Sequence, residues 1–178
     1  SDEIENFNLC LKLMFEIPSN KYAALRRAVI DIIYSLAEFW KDLSQETVNG
    51  FLEYVVEGFE SKCTFDISAQ CFERIILLNL NRFSSSVDKF LDYTTTFASY
   101  LTYYNPVWSK CFTAVLTLAI TVYGNHPEEF KQAFEKCITP FANELKREDI
   151  TPFQITFCFE YIADMFDTIE KKIKDYTM

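Results

Sequence analysis

One histidine, six cysteines and two pairs of carboxylates are the residues whose types and spacing bear on chemistry. His126 stands directly before Pro127. A zinc site needs several His or Cys ligands, and a histidine-based triad needs a nucleophile and an orienting acid around that one ring. The sequence pattern reads His126 instead as an exposed capping residue at a helix start. The cysteines at 10, 63, 71, 111, 137 and 158 form no Cys-x-x-Cys pair. Most fall among apolar residues at helical spacing, so they are expected as free, buried thiols in a reducing compartment. Gly50, Gly58 and Gly124 cannot build a phosphate-cradling loop. The expectation is a non-enzyme with no catalytic residue, no metal and no cofactor.

The carboxylates point elsewhere. Glu53 and Glu57 are four residues apart, as are Asp88 and Asp92. Di-iron bundles space carboxylates this way, but add Glu-x-x-His motifs that this chain lacks. Such pairs make an acidic helix face, either simply solvated or able to attract lysine- and arginine-rich ligands. Glu135 extends the face, while Gln132 leaves one rung without charge. Tyr103, Tyr104 and Trp108 flank a predicted turn and are the aromatic candidates for an exposed protein-binding surface. A formal charge of −9 speaks against nucleic acid as a partner. No apolar run approaches the ~20 residues of a membrane span, so no membrane role is expected.

The elements that must position these residues are helical. Apolar residues make up 49% and aromatics 17% of the 178 residues, which excludes disorder. Three glycines and five prolines are too few for a chain of tight β-turns. Asn105-Pro106, His126-Pro127 and Thr151-Pro152 each set a proline in a first helical turn. Glu128 and Glu129 add charge that suits a helix N-terminus. Ser44, Ser86 and Ser19-Asn20 are further caps, so helices start near 20, 44, 65, 86, 106, 127 and 152. Three core stripes are predicted. They are Leu25, Ala28/Val29, Ile32, Leu36, Phe39/Trp40; then Val107, Cys111, Ala114/Val115, Leu118, Val122; then Ile155, Phe159, Ile162, Phe166, Ile169, Ile173.

The phrase FLEY at 51–54 returns as FLDY at 90–93. Aligned stripes put Ala28, Cys71, Cys111 and Cys158 in one column, with steps of 43, 40 and 47 residues. Phe51, Phe90 and Phe130 form another, with steps of 39 and 40. A helix-pair unit of this length is the period of HEAT and armadillo repeats. The predicted fold is all-α: a right-handed α-α superhelix of about three and a half antiparallel helix pairs. It is expected as one segment over 1–178, with repeats near 1–18 (partial), 19–62, 63–104, 105–148 and 149–178 (partial).

The stretches ALRRAVIDIIYSLAEFW, NPVWSKCFTAVLTLAITVYGNHPEEF and PFQITFCFEYIADMFDTIEKKI resemble HEAT A-helices and their turns. The flavour is that of the importin-β (karyopherin-β) superfamily of nuclear transport receptors. The resemblance implies a protein-binding solenoid shared between cytoplasm and nucleus. Its acidic B-helices (Glu53, Glu57, Asp88, Asp92, Glu135) would hold basic cargo or the Ran GTPase, and its aromatics would meet Phe-Gly nucleoporins. The chain lacks the aspartate-valine and arginine pair common in the HEAT turns of phosphatase scaffolds. The alternative is a HEAT scaffold subunit of another intracellular assembly, such as a translation or phosphatase complex. Phe7, Leu9, Leu11, Leu13, Met14 and Phe15 do not read as a polar cap, nor does the last helix. The expectation is a piece of a longer solenoid, or ends that pack on another copy.

Overall fold

Capping chemistry fixes where the helices begin. In the computed structural model, Ser44 Oγ accepts the Thr47 N–H at 3.1 Å and opens a helix at Gln45. Asn105 Oδ1 accepts the Val107 N–H at 3.0 Å. Thr151 and Gln154 form a reciprocal box, with the Thr151 N–H on Gln154 Oε1 at 2.7 Å and the Gln154 N–H on Thr151 Oγ1 at 3.4 Å. Pro127 is the first residue of its helix, with Glu128 and Glu129 in the same turn. His126 occupies the N-cap position, exposed, and makes no side-chain cap bond.

The structure describes residues 6, 9, 10, 12–14, 16, 22–98 and 105–177. These are all-helical, without a strand among the described residues. Two compact units divide the chain, 1–78 and 79–178. The boundary falls inside the span 63–104 expected as one repeat, between its two helices.

The first unit holds α1 (Ala23–Ser35), a 3-10 turn (Ala37–Asp42), α2 (Gln45–Glu57), a second turn (Gly58–Glu60) and α3 (Phe65–Leu78). α1 and α2 both pack on α3. Trp40 meets Phe51 at 5.2 Å between ring centroids, and Phe59 sits edge-on to Phe72 at 6.0 Å. Gly58 allows α2 to close on α3: a Cβ there would lie 2.2 Å from Ser68 Oγ and 2.9 Å from Ile30 Cδ1.

The stripe expected to bury in α1 is corrected in part: its Val29 and Trp40 are buried and Leu36 is half-buried, but the rest is not. Arg26, Val29, Ile30 and Ile33 face inward, continued by Ala37 and Trp40, while Leu25, Ile32 and Phe39 are exposed. α1 carries two apolar stripes side by side. The inward one lets Arg26 reach α2 and Arg27 reach Asp66 on α3. Ala28 is exposed and Cys71 buried, so those two do not share a packed column.

The second unit holds α4 (Leu80–Phe83), a 3-10 turn (Ser84–Ser86), α5 (Val87–Ala98), α6 (Val107–Tyr123), α7 (Pro127–Glu144) and α8 (Pro152–Thr177). Ser86 ends the turn that runs straight into α5 rather than standing as a lone cap. α6 packs on α5, α7 and α8, and α5 also packs on α7. The α6 stripe buries Cys111, Ala114, Val115 and Leu118, with Val107 and Val122 half-buried at its ends. Aromatics fill the layers: Phe112 is edge-on to Phe141 at 4.7 Å, and Phe141 to Tyr161 at 5.1 Å. The Tyr161 hydroxyl donates to the Asn105 carbonyl, satisfying a polar tip inside this core.

The stripe expected to bury in α8 is the more exposed one. Phe157, Cys158, Tyr161 and Met165 face the core, whereas Phe159 is 57% and Phe166 54% exposed. Ile155, Ile162 and Ile169 are half-buried. Six thiols are free, as the spacing implied, but Cys10 and Cys63 are exposed rather than buried.

Candidate protein-binding faces

Each acidic pair lies on the outer side of a helix whose opposite side is core. In α2 the buried residues are Val48, Phe51, Leu52, Tyr54 and Val55, which leaves Glu53 and Glu57 outward. Glu57 is already engaged: its Oε2 accepts from Arg26 Nη2 at 2.9 Å, and that nitrogen also donates to the Tyr54 carbonyl at 2.9 Å. Arg26 is 1% exposed and its guanidinium lies 4.2 Å from the centroid of the Tyr54 ring. Burial pushes the Tyr54 hydroxyl pKa up, opposed by the Arg26 charge. Glu57 therefore neutralises a buried cation of its own unit.

In the second unit, α5 turns Val87, Phe90, Leu91, Thr94 and Phe97 inward and Asp88 and Asp92 outward. The packing of α5 on α7 brings Tyr123 and Lys136 to them. The Tyr123 hydroxyl donates to Asp88 at 3.3 Å, and Lys136 Nζ pairs with Asp92 at 3.3 Å. An open pocket of about 250 Å³ lies here, lined by Asp88, Leu91, Tyr123, Glu129, Gln132, Ala133 and Lys136. Burial raises the Tyr123 pKa, and the charges of Asp88 and Glu129 raise it further. The pocket lining thus sets two carboxylates, Asp88 and Glu129, against one cation, Lys136. Glu135 is exposed on the same helix, α7.

The aromatic candidates fare differently. Trp108 is fully buried, 6.0 Å from Phe97 between centroids, so it offers no surface to a ligand. The reason is its place in α6, a helix with ten buried residues out of 17. Tyr103 and Tyr104 lie outside the described residues. A groove that the spacing did not reveal occurs in the first unit, about 430 Å³ in volume and lined by Tyr34, Glu38, Gln70, Glu73, Arg74, Leu77 and Leu78. Arg74 lies 4.7 Å from the Tyr34 ring centroid and donates to Glu38 at 3.1 Å.

Sequence reading found the acids but missed Arg26, Tyr123 and Lys136 as their partners. Those pairs are 31, 35 and 44 residues apart, and only helix-on-helix packing joins them. Among the described residues no group of three or more His, Cys, Asp or Glu is placed to hold a metal ion. No helix among them is long and apolar enough to cross a membrane. Comparison with protein-family models, with curated proteins and with solved structures finds no match to this chain.

Proposed function

We propose that the chain is a non-enzymatic, protein-binding array of helix pairs of the HEAT kind, built like a segment of a nuclear transport receptor. The observation that carries the reading is the packing of α5 on α7 beside that of α6 on α8. Alternate helices meet alternate helices, as they do when pairs stack in two layers. That packing sets Asp88, Glu129 and Gln132 around one open pocket. With Lys136 neutralised by Asp92, its chemistry suits a lysine or arginine side chain of a protein ligand, received by two carboxylates and a neutral amide. In this reading basic cargo segments or the Ran GTPase meet the α5–α7 face. The groove of Tyr34, Leu77 and Leu78 replaces Trp108 as the place for the phenylalanine of a Phe-Gly nucleoporin.

Titration of the chain with a basic nuclear-localisation peptide and with a Phe-Gly peptide at low salt tests this. Binding of the basic peptide is expected to weaken with salt and to be lost in Asp88→Lys with Glu129→Lys. Silence to both peptides removes the transport reading.

One observation favours a second reading, a scaffold that joins a larger assembly through its outer faces. Asp88, Asp92 and Glu57 all have partners within the chain, while Phe159 and Phe166 stand exposed. Under that reading the charge reversal leaves partner binding unchanged.

A further inference from the structure

The tetrapeptide Ile-Thr-Pro-Phe occurs twice, at 138–141 and at 150–153, and supplies both Thr-Pro steps of the chain, which has no Ser-Pro. A hydroxyl residue followed by proline is the acceptor that proline-directed protein kinases take. Proline brings no N–H that the kinase must satisfy, and it biases the residue before it toward the extended form that a kinase groove holds. The fold treats the two copies differently. Thr139 lies inside α7, where its hydroxyl donates to the Glu135 carbonyl at 2.6 Å. It stands between Cys137 and Phe141, both fully buried, so drawing this stretch out extended pulls both side chains from the core. Thr151 stands just before α8, at the end of the non-helical stretch 145–151, whose residues 146–149 are exposed. Pro152 and Phe153 are exposed as well, Phe153 to 65%. Both threonines are exposed, so it is the backbone that separates them.

We propose that Thr151 is a phosphorylation site for a proline-directed kinase, and that its twin Thr139 is not. In the transfer, Thr151 Oγ1 bonds to the γ-phosphorus of Mg-ATP, the bond from that phosphorus to the bridging oxygen breaks, and ADP leaves. The hydroxyl proton passes to the catalytic aspartate of the kinase. To enter the kinase, Thr151 gives up its hydrogen bonds with Gln154, at 3.0 and 3.4 Å, and the first turn of α8 opens. Once attached, the phosphate sits where those bonds were, ahead of a 26-residue helix. Its oxygens accept the free N–H groups of the first turn, and its charge suits the helix dipole. Asp149 is the nearest acid in sequence, and Arg147 already holds it at 2.8 Å. The modification does not depend on what the α5–α7 pocket binds.

The test treats the whole folded chain with Mg-ATP and a mitogen-activated, proline-directed kinase, and maps the phosphate by mass spectrometry. Synthetic peptides of residues 134–144 and 146–156 present the same two threonines free of the fold. Both peptides are expected to be phosphorylated, whereas in the folded chain Thr151 gains phosphate at least ~tenfold faster than Thr139. Pro152→Ala abolishes the modification and Thr151→Ser keeps it. Alanine suits a first helical turn and serine a cap, so both variants are expected to keep the wild-type far-UV circular dichroism. The phosphorylated chain is expected to melt at a higher temperature than the unmodified one. A folded chain without phosphate on Thr151, equal rates at the two threonines, or an unmodified 146–156 peptide overturns the proposal. So does modification undiminished by Pro152→Ala, and a melting temperature that fails to rise overturns the seating of the phosphate on α8.

Discussion

Glu57 and Asp92 are both acids on the outer side of a helix, each paired with a cation of its own unit. The pairs differ in one respect that matters. Glu57 holds Arg26, which is 1% exposed; Asp92 holds Lys136, which is 51% exposed. Distance does not separate them strongly, at 2.9 and 3.3 Å. What separates them is what happens when the acid is removed. Lys136 returns to water, whereas Arg26 stays among Val29, Ile30 and Ile33 with its charge uncompensated. An acid counted as a ligand site from sequence is thus a structural residue in one unit and a surface residue in the other.

The largest effect is expected for Glu57→Ala. Leaving one partner of a fully buried pair costs about 3–5 kcal/mol. Glu57 itself is 60% exposed, so water already weakens its hold on Arg26. A loss of about 2 kcal/mol is expected, read as a lower midpoint in urea with an unchanged slope. A loss near zero breaks the comparison.

Arg26→Met sharpens it. The stem is retained as apolar volume, and the charge that demanded Glu57 is gone. Stability is expected within about 1 kcal/mol of the parent, and Glu57→Ala in that background is expected to cost almost nothing. A double mutant as unstable as the two losses added would mean that the pair does not act through the buried charge.

Asp66 lies between the two cases. Its carboxyl is held below the usual carboxylate range chiefly by the hydrogen bond from Arg27, with the Arg27 charge adding to it. The two side chains are 34% and 43% exposed, and contact is bidentate at 2.7 and 3.0 Å. A depressed folded pKa stabilises above the unfolded value of about 3.9 and loses that contribution as pH falls through the folded one. Screening limits the effect to under about 1 kcal/mol. Denaturant midpoints taken from pH 6 down to pH 3 (about two units above and one below the unfolded value) are expected to fall less in Asp66→Asn than in the parent. A parallel fall in both proteins assigns the acid sensitivity to other carboxylates.

The same contrast says what the sequence could and could not reveal. Helix starts were legible at Ser44, Asn105, Pro127 and Thr151 because a cap acts on residues two or three positions away. The buried side of α6 was legible because that helix is apolar nearly all round. α1 and α8 each carry two apolar stripes, and period alone cannot rank Ile32 against Ile33 or Phe159 against Phe157. The choice is made by neighbours distant in sequence, such as Tyr54 for Arg26 and Phe141 for Tyr161. The acids were visible and their partners were not, for the same reason.

Asp92→Ala is the smallest perturbation and the other half of the comparison. Lys136 is half-exposed and Asp92 is 75% exposed, so the pair forms in water and is screened by salt. Holding two long side chains in one geometry also costs rotamer freedom that the attraction barely offsets. The urea midpoint is expected to move by less than the equivalent of about 0.5 kcal/mol. Binding is where this variant has a role to play. With Asp92 gone, Lys136 on the rim of the α5–α7 pocket loses its counter-charge and repels a basic ligand. Affinity for a lysine-rich peptide is expected to fall while stability holds. A variant that loses stability as Glu57→Ala does would show that exposure of the cation is not what distinguishes the two pairs.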